Sequence, residues 1–154
     1  MKVYLYQFKT IHRFYGRMRV AEWDESKYLV LSSLSFLLPC VYAYTQELYL
    51  HSAMVGICTF ASINFWRDAV YSYRRTMDVV CSRCCLVWGI CGCAYTGISW
   101  IYVAEMSVSI GGSYALSKIR YRQHHPRWVY YHVAFHLITT CHVLYGLYVL
   151  KRYK

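Results

Sequence analysis

From residue 28 onward the chain alternates between long apolar runs and short polar or basic connections. A membrane-spanning helix needs roughly 20 mostly apolar residues, with a working range of about 17–25. Five runs meet that length. They are residues 28–44 (YLVLSSLSFLLPCVYAY), 48–66 (LYLHSAMVGICTFASINFW), 79–95 (VVCSRCCLVWGICGCAY), 98–116 (ISWIYVAEMSVSIGGSYAL) and 128–150 (WVYYHVAFHLITTCHVLYGLYVL). The pattern predicts an all-α, polytopic integral membrane bundle of about five transmembrane helices. Pro39 falls inside the first run, where a membrane helix tolerates it as a kink. The first four runs carry Ser, Thr, Asn and Gly, which suit contact between helices.

The connections fall into two classes. Residues 45–47 and 96–97 are short. Residues 67–78 (RDAVYSYRRTMD) and 117–127 (SKIRYRQHHPR) are longer and basic. Pro126 fits the first position of the fifth helix, a place that favours proline, with His125 as its N-cap. Residues 1–27 are charged throughout, with no small-residue cleavage pattern, so no cleavable leader is expected. Tyr4, Tyr6, Phe8, Ile11, Phe14 and Tyr15 lie among Lys9, Arg13 and Arg17, as in a segment lying on a membrane interface. A disordered basic arm is the plainer alternative. Residues 151–154 form a basic tail.

Charge orients this arrangement. Fourteen of the 17 Lys and Arg residues lie in three stretches: the N-terminal region, residues 67–83 and residues 118–127. Five spans place all three on one face and leave Lys151, Arg152 and Lys154 on the other. That is the positive-inside bias, with the N-terminus on the positive, cytoplasmic-type side and the C-terminus opposite. A four-span topology, with the Arg83-containing run peripheral, breaks this bias in the last two runs.

Composition fits the same picture. The chain is 58% hydrophobic and 16% charged, with 18 Tyr and 5 Trp, residues that favour membrane interfaces. A net charge of +10 could suggest nucleic acid, but the charges flank apolar runs and form no RNA-binding signature. They point to anionic headgroups, with Arg74, Arg75, Arg120, Arg122 and Arg127 as the candidate contacts. At 154 residues the chain holds one membrane domain and no separate soluble module.

Chemistry centres on His132 and His136, spaced HVAFH in the fifth run. Residues four apart share a helix face, so the two imidazoles can ligate one metal ion. Polar contacts to neighbouring helices are the plainer role. The topology brings Ser62, Asp78, His132 and His136 to one membrane level. It leaves His51 at the opposite face and His142 deeper in the span.

Those residues resemble, in type and order, the superfamily of alkaline ceramidases and progestin and adiponectin receptors. That resemblance rests on His132 and His136 for a final His-x3-His, on Asp78 for an aspartate early in a helix, and on Ser62 for a serine ending an earlier one. It implies a three-histidine zinc site whose activated water cleaves a lipid amide or ester. Trp66 stands where the third histidine belongs, and five runs are present where that superfamily has seven spans. If a metal is bound, Asp78, His124 or His125 would have to complete the set, and an open position would supply the activated water.

Eight cysteines include the CSRCC run at residues 81–85. They lie along an apolar helix and read as buried small thiols, with S-acylation of Cys81, Cys84 or Cys85 a lesser option. Arg83 can snorkel to the interface or pair with an acid. Glu105, near the middle of the fourth run, implies either an interhelical hydrogen bond or proton passage. Gly89, Gly92, Gly97, Gly111 and Gly112 suit close backbone approach. The leading functional expectation is a non-catalytic structural or assembly subunit of a membrane complex, organellar or of a virus inner membrane, among other membrane subunits. A zinc-dependent membrane hydrolase built on His132, His136 and Asp78 is the alternative. A transporter or channel component, resting on Glu105, is a further one.

Overall fold

The structure is a computed structural model that describes residues 19–152 apart from Thr96. Of the interfacial segment expected over residues 1–27, residues 1–18 lie outside the described residues, and residues 23–27 form the start of the first helix. The rest is helical: α1 (Trp23–Ser33), a 3-10 turn (Leu34–Phe36), α2 (Leu37–Thr45), α3 (Tyr49–Trp66), α4 (Tyr73–Tyr95), α5 (Trp100–Arg122) and α6 (Trp128–Arg152). Sheet-type pairing among the described residues is a bridge between Arg19 and Val70, with the Val20 N–H donating to the Ala69 carbonyl at 2.6 Å.

Helix boundaries run past the apolar runs at the basic end. The first helix starts at Trp23 rather than at residue 28, α4 at Tyr73 rather than at 79, and α5 continues to Arg122 rather than 116. Extending each helix past the apolar run moves its unpaired terminal N–H and C=O groups out towards water, and long basic side chains can line the last turn while their heads stay in water. The connection expected over residues 67–78 accordingly shrinks to 67–72, and that over 117–127 to 123–127.

Among the described residues, three helical stretches are long and apolar enough to cross a membrane: Trp23–Thr45, Tyr73–Tyr95 and Trp128–Arg152. The α3 and α5 helices fall outside that set. Polar residues interrupt both: His51 and Asn64 in α3, and Glu105, Ser107, Ser109 and Ser113 in α5.

Pro39 leaves its mark one turn earlier. A proline cannot donate to the carbonyl four residues back, here Ser35, and its ring crowds that group. The chain tightens into the 3-10 turn Leu34–Phe36 at this place. Ser32 and Ser33 hydroxyls donate to the Leu29 carbonyl at 3.1 and 2.7 Å, and Ser35 to the Ser32 carbonyl at 2.7 Å.

Three of the turns close in one way. Glu47 (φ 60°), Gly97 (φ 68°) and His124 (φ 50°) adopt the left-handed conformation. The next residue's N–H then reaches the carbonyl five residues back: Leu48 to Ala43, Ile98 to Cys93 and His125 to Arg120. This is the hydrogen bond that ends many helices, and only at Gly97 does glycine make it free of Cβ crowding.

In the packing, α6 is central. It lies against α5 most extensively, then against α1 and α2, while α4 packs chiefly on α3 and barely on α5. One apolar cluster (Ala21, Leu29, Phe65, Trp66, Ala69, Trp128 and Val129) fills the basic end. Smaller clusters around Leu147 and around Cys93 fill the other. Between them the buried positions are small and polar: Ser32, Ser33, Thr59, Ser62, His136 and Thr140. Outward-facing Leu31, Leu38, Val41, Val80 and Val87 suit a hydrocarbon surround. The close glycine contacts are realised at Gly92, whose Cβ position lies 3.7 Å from Leu150, whereas Gly89, Gly111 and Gly112 face open space within the described residues.

Candidate functional site

The buried polar layer is where the candidate residues meet. His136 is almost fully enclosed, and its Nδ1 lies 2.8 Å from Ser32 Oγ of α1. Ser32 has one hydroxyl proton, and the Leu29 carbonyl stands 3.1 Å away as a second acceptor. Both contacts are satisfied together when His136 carries its proton on Nδ1, which leaves Nε2 as an acceptor. His132 makes the matching contact on the other side, its Nδ1 2.9 Å from Ser117 Oγ of α5. The rings sit edge to face with centroids 4.9 Å apart, as the four-residue spacing predicts.

Trp66 fills the space beside them. Its ring centroid lies 5.0 Å from that of His132 and 4.5 Å from that of Phe65, and it is buried. Its Nε1 is enclosed without a hydrogen-bond partner among the described residues. The indole that stands in place of the third histidine thus packs directly on one of the other two. Phe36 and Phe135 pack on His136 with centroids 5.5 Å away in each case.

Ser62 is buried and bonded to Ser33 Oγ at 3.1 Å, and Asp78 of α4 lies beside it. Asp78 therefore joins the layer through Ser62 and Ser33, while the histidines join it through Ser32, the next residue along α1. Ser62 and Asp78 thus meet the two histidines only indirectly, through adjacent serines of α1. Among the described residues, no group of three His, Cys, Asp or Glu side chains converges to hold a metal ion. His125 is otherwise engaged: its Nδ1 accepts from the Arg127 N–H at 3.1 Å, but the helix begins at Trp128 rather than at Pro126, so His125 is not its N-cap. His51 lies at the far end against Trp88, ring centroids 5.7 Å apart.

The basic end carries the candidate headgroup residues. Arg75 stacks over Tyr71 at 4.6 Å and Arg120 over Tyr131 at 5.5 Å. Arg122 and Arg127 are exposed. Arg74 is partly neutralised by Asp68 at 3.2 Å. Trp128 Nε1 donates to Glu25 Oε1 at 3.3 Å, tying α6 to α1 just beneath.

Glu105 has a neighbour that the linear pattern does not reveal. Its Oε1 lies 3.8 Å from His142 Nε2, and Ser109 Oγ lies 2.8 Å from that nitrogen and 3.5 Å from the carboxylate. The Tyr102 hydroxyl donates to the His142 carbonyl at 3.0 Å. Sequence reading also missed Ser32, Ser33 and Ser117 as imidazole and hydroxyl partners. The SSLS run at residues 32–35, inside an apolar stretch, is the one signal that could have marked them.

No family model, curated protein or solved structure matches this chain.

Proposed function

We propose that this chain is a non-catalytic, multi-pass membrane subunit with about five spans. In this reading the polar residues lock its helices together, and its basic end meets anionic headgroups and partner subunits. One observation carries the reading: each HxxxH imidazole is tied through Nδ1 to a serine of a different helix, with Trp66 packed against the pair. Buried polar groups between membrane helices act as ties of modest strength, on average about 0.6 kcal/mol. Three apolar helices support membrane insertion. The remaining two, α3 and α5, would cross within the bundle, with Ser52, Ser62, Ser109 and Ser117 turned to neighbouring helices.

The N-terminus would lie on the positive side and the C-terminus opposite. Arg75, Arg120, Arg122 and Arg127 would engage lipid phosphates, and Arg74 would do so in exchange for Asp68. A second reading, a zinc-dependent lipid hydrolase, draws on the 4.9 Å approach of His132 to His136 and on the nearness of Asp78 to Ser62. Zinc content of the purified protein, compared with a His132→Ala/His136→Ala variant, separates the two readings.

A further inference from the structure

The α4 helix depends on α3 for most of its packing, and the seam between them is lined by small polar side chains. Near the basic end Ser62 meets Asp78. Further along, the Cys58 Sγ of α3 lies 3.7 Å from Ser82 Oγ of α4. Cys85 of α4 in turn donates to the Met54 carbonyl of α3 at 3.3 Å. Met54 and Cys58 are one turn apart on α3, and Ser82 and Cys85 one turn apart on α4. Both thiols therefore project into one stretch of the seam, close beside each other. Both are free and only partly exposed, whereas Cys84 and Cys91 are exposed.

We propose that Cys58 and Cys85 form a reversible disulfide that locks α4 to α3. Small side chains on both sides let the two helices approach, and a disulfide requires that closeness. Oxidation breaks both S–H bonds and forms one S–S bond. The two protons and two electrons pass to a membrane-dissolved quinone, which leaves as the hydroquinone. A fully substituted quinone is required, because an open ring position would add a thiol instead. The closed loop runs from residue 58 to 85 and contains the basic connection with Arg67, Arg74 and Arg75. Oxidation thus fixes both the helix with the least intramolecular cover and part of the headgroup face.

The test uses the full-length protein, reduced, in phosphatidylcholine vesicles and exposed to a short-chain, fully substituted benzoquinone. Non-reducing digestion and mass spectrometry should yield one cross-linked peptide joining Cys58 to Cys85. Two of the eight thiols should lose maleimide reactivity and regain it with a dithiol reductant. Cys58→Ser and Cys85→Ser should each abolish the link, and Cys58→Ala provides a second variant should the serine unsettle the seam. Cys81→Ser and Cys84→Ser should leave it intact. In the oxidised protein, amide exchange along α4 should slow by about tenfold or more. A link joining other cysteines, a link that survives Cys58→Ala, or eight thiols that stay reactive would overturn the proposal.

Discussion

Ser32 Oγ stands 2.8 Å from His136 Nδ1 and joins α1 to α6 across 104 residues. A contact of such sequence separation fixes how α1 and α6 are rotated against each other. Its strength is measurable by a double-mutant cycle over Ser32→Ala and His136→Phe, unfolding in mixed detergent micelles. A coupling energy of about 0.5–1.7 kcal/mol is expected, the range of interhelical hydrogen bonds in membranes. Additive single effects would remove this contact from the account.

Trp66 carries more. Its indole packs against Phe65, Trp128 and His132 in the larger apolar cluster. Trp66→Ala should cost about 3–5 kcal/mol, the usual cost of deleting a buried aromatic. Trp66→Phe should cost much less, because it retains most of the ring volume and removes an enclosed N–H that has no partner among the described residues. The same unfolding assay reads both.

The basic end predicts a lipid preference. Each Lys or Arg near an anionic surface contributes about 1 kcal/mol at physiological salt. Replacing Arg75, Arg122 and Arg127 by Gln should lower retention of phosphatidylglycerol over phosphatidylcholine by tenfold or more. The difference should shrink as salt rises, since exposed charges are screened. Lipid counting on the protein extracted from mixed vesicles provides the measurement.

Topology has its own check. With five spans, a tag after Lys154 lies across the membrane from a tag at Met1. Protease protection of the two tags in sealed vesicles reports this directly. Both tags on one side would mean an even number of crossings, and α3 or α5 would then be the segment that fails to cross.

What the sequence revealed follows from which forces act along the chain and which act across it. Apolar runs and basic clusters act along it, so the helices and the approach of His132 to His136 were legible. Helix limits were less so, because Arg74, Arg75 and Lys118 lie beyond the apolar runs yet continue the helical backbone. Partners were least legible. Ser117 meeting His132, or Glu105 lying near His142, depends on how each helix is turned about its axis. That setting arises from tertiary packing, and serines recur too often here for spacing alone to choose among them.

The most direct test is the metal content of the purified protein, measured beside the His132→Ala/His136→Ala variant. If the two imidazoles are ties between helices, zinc stays well below one equivalent in both proteins. The variant should then differ in stability alone. One equivalent of zinc in the natural protein, lost in the variant, would contradict the account.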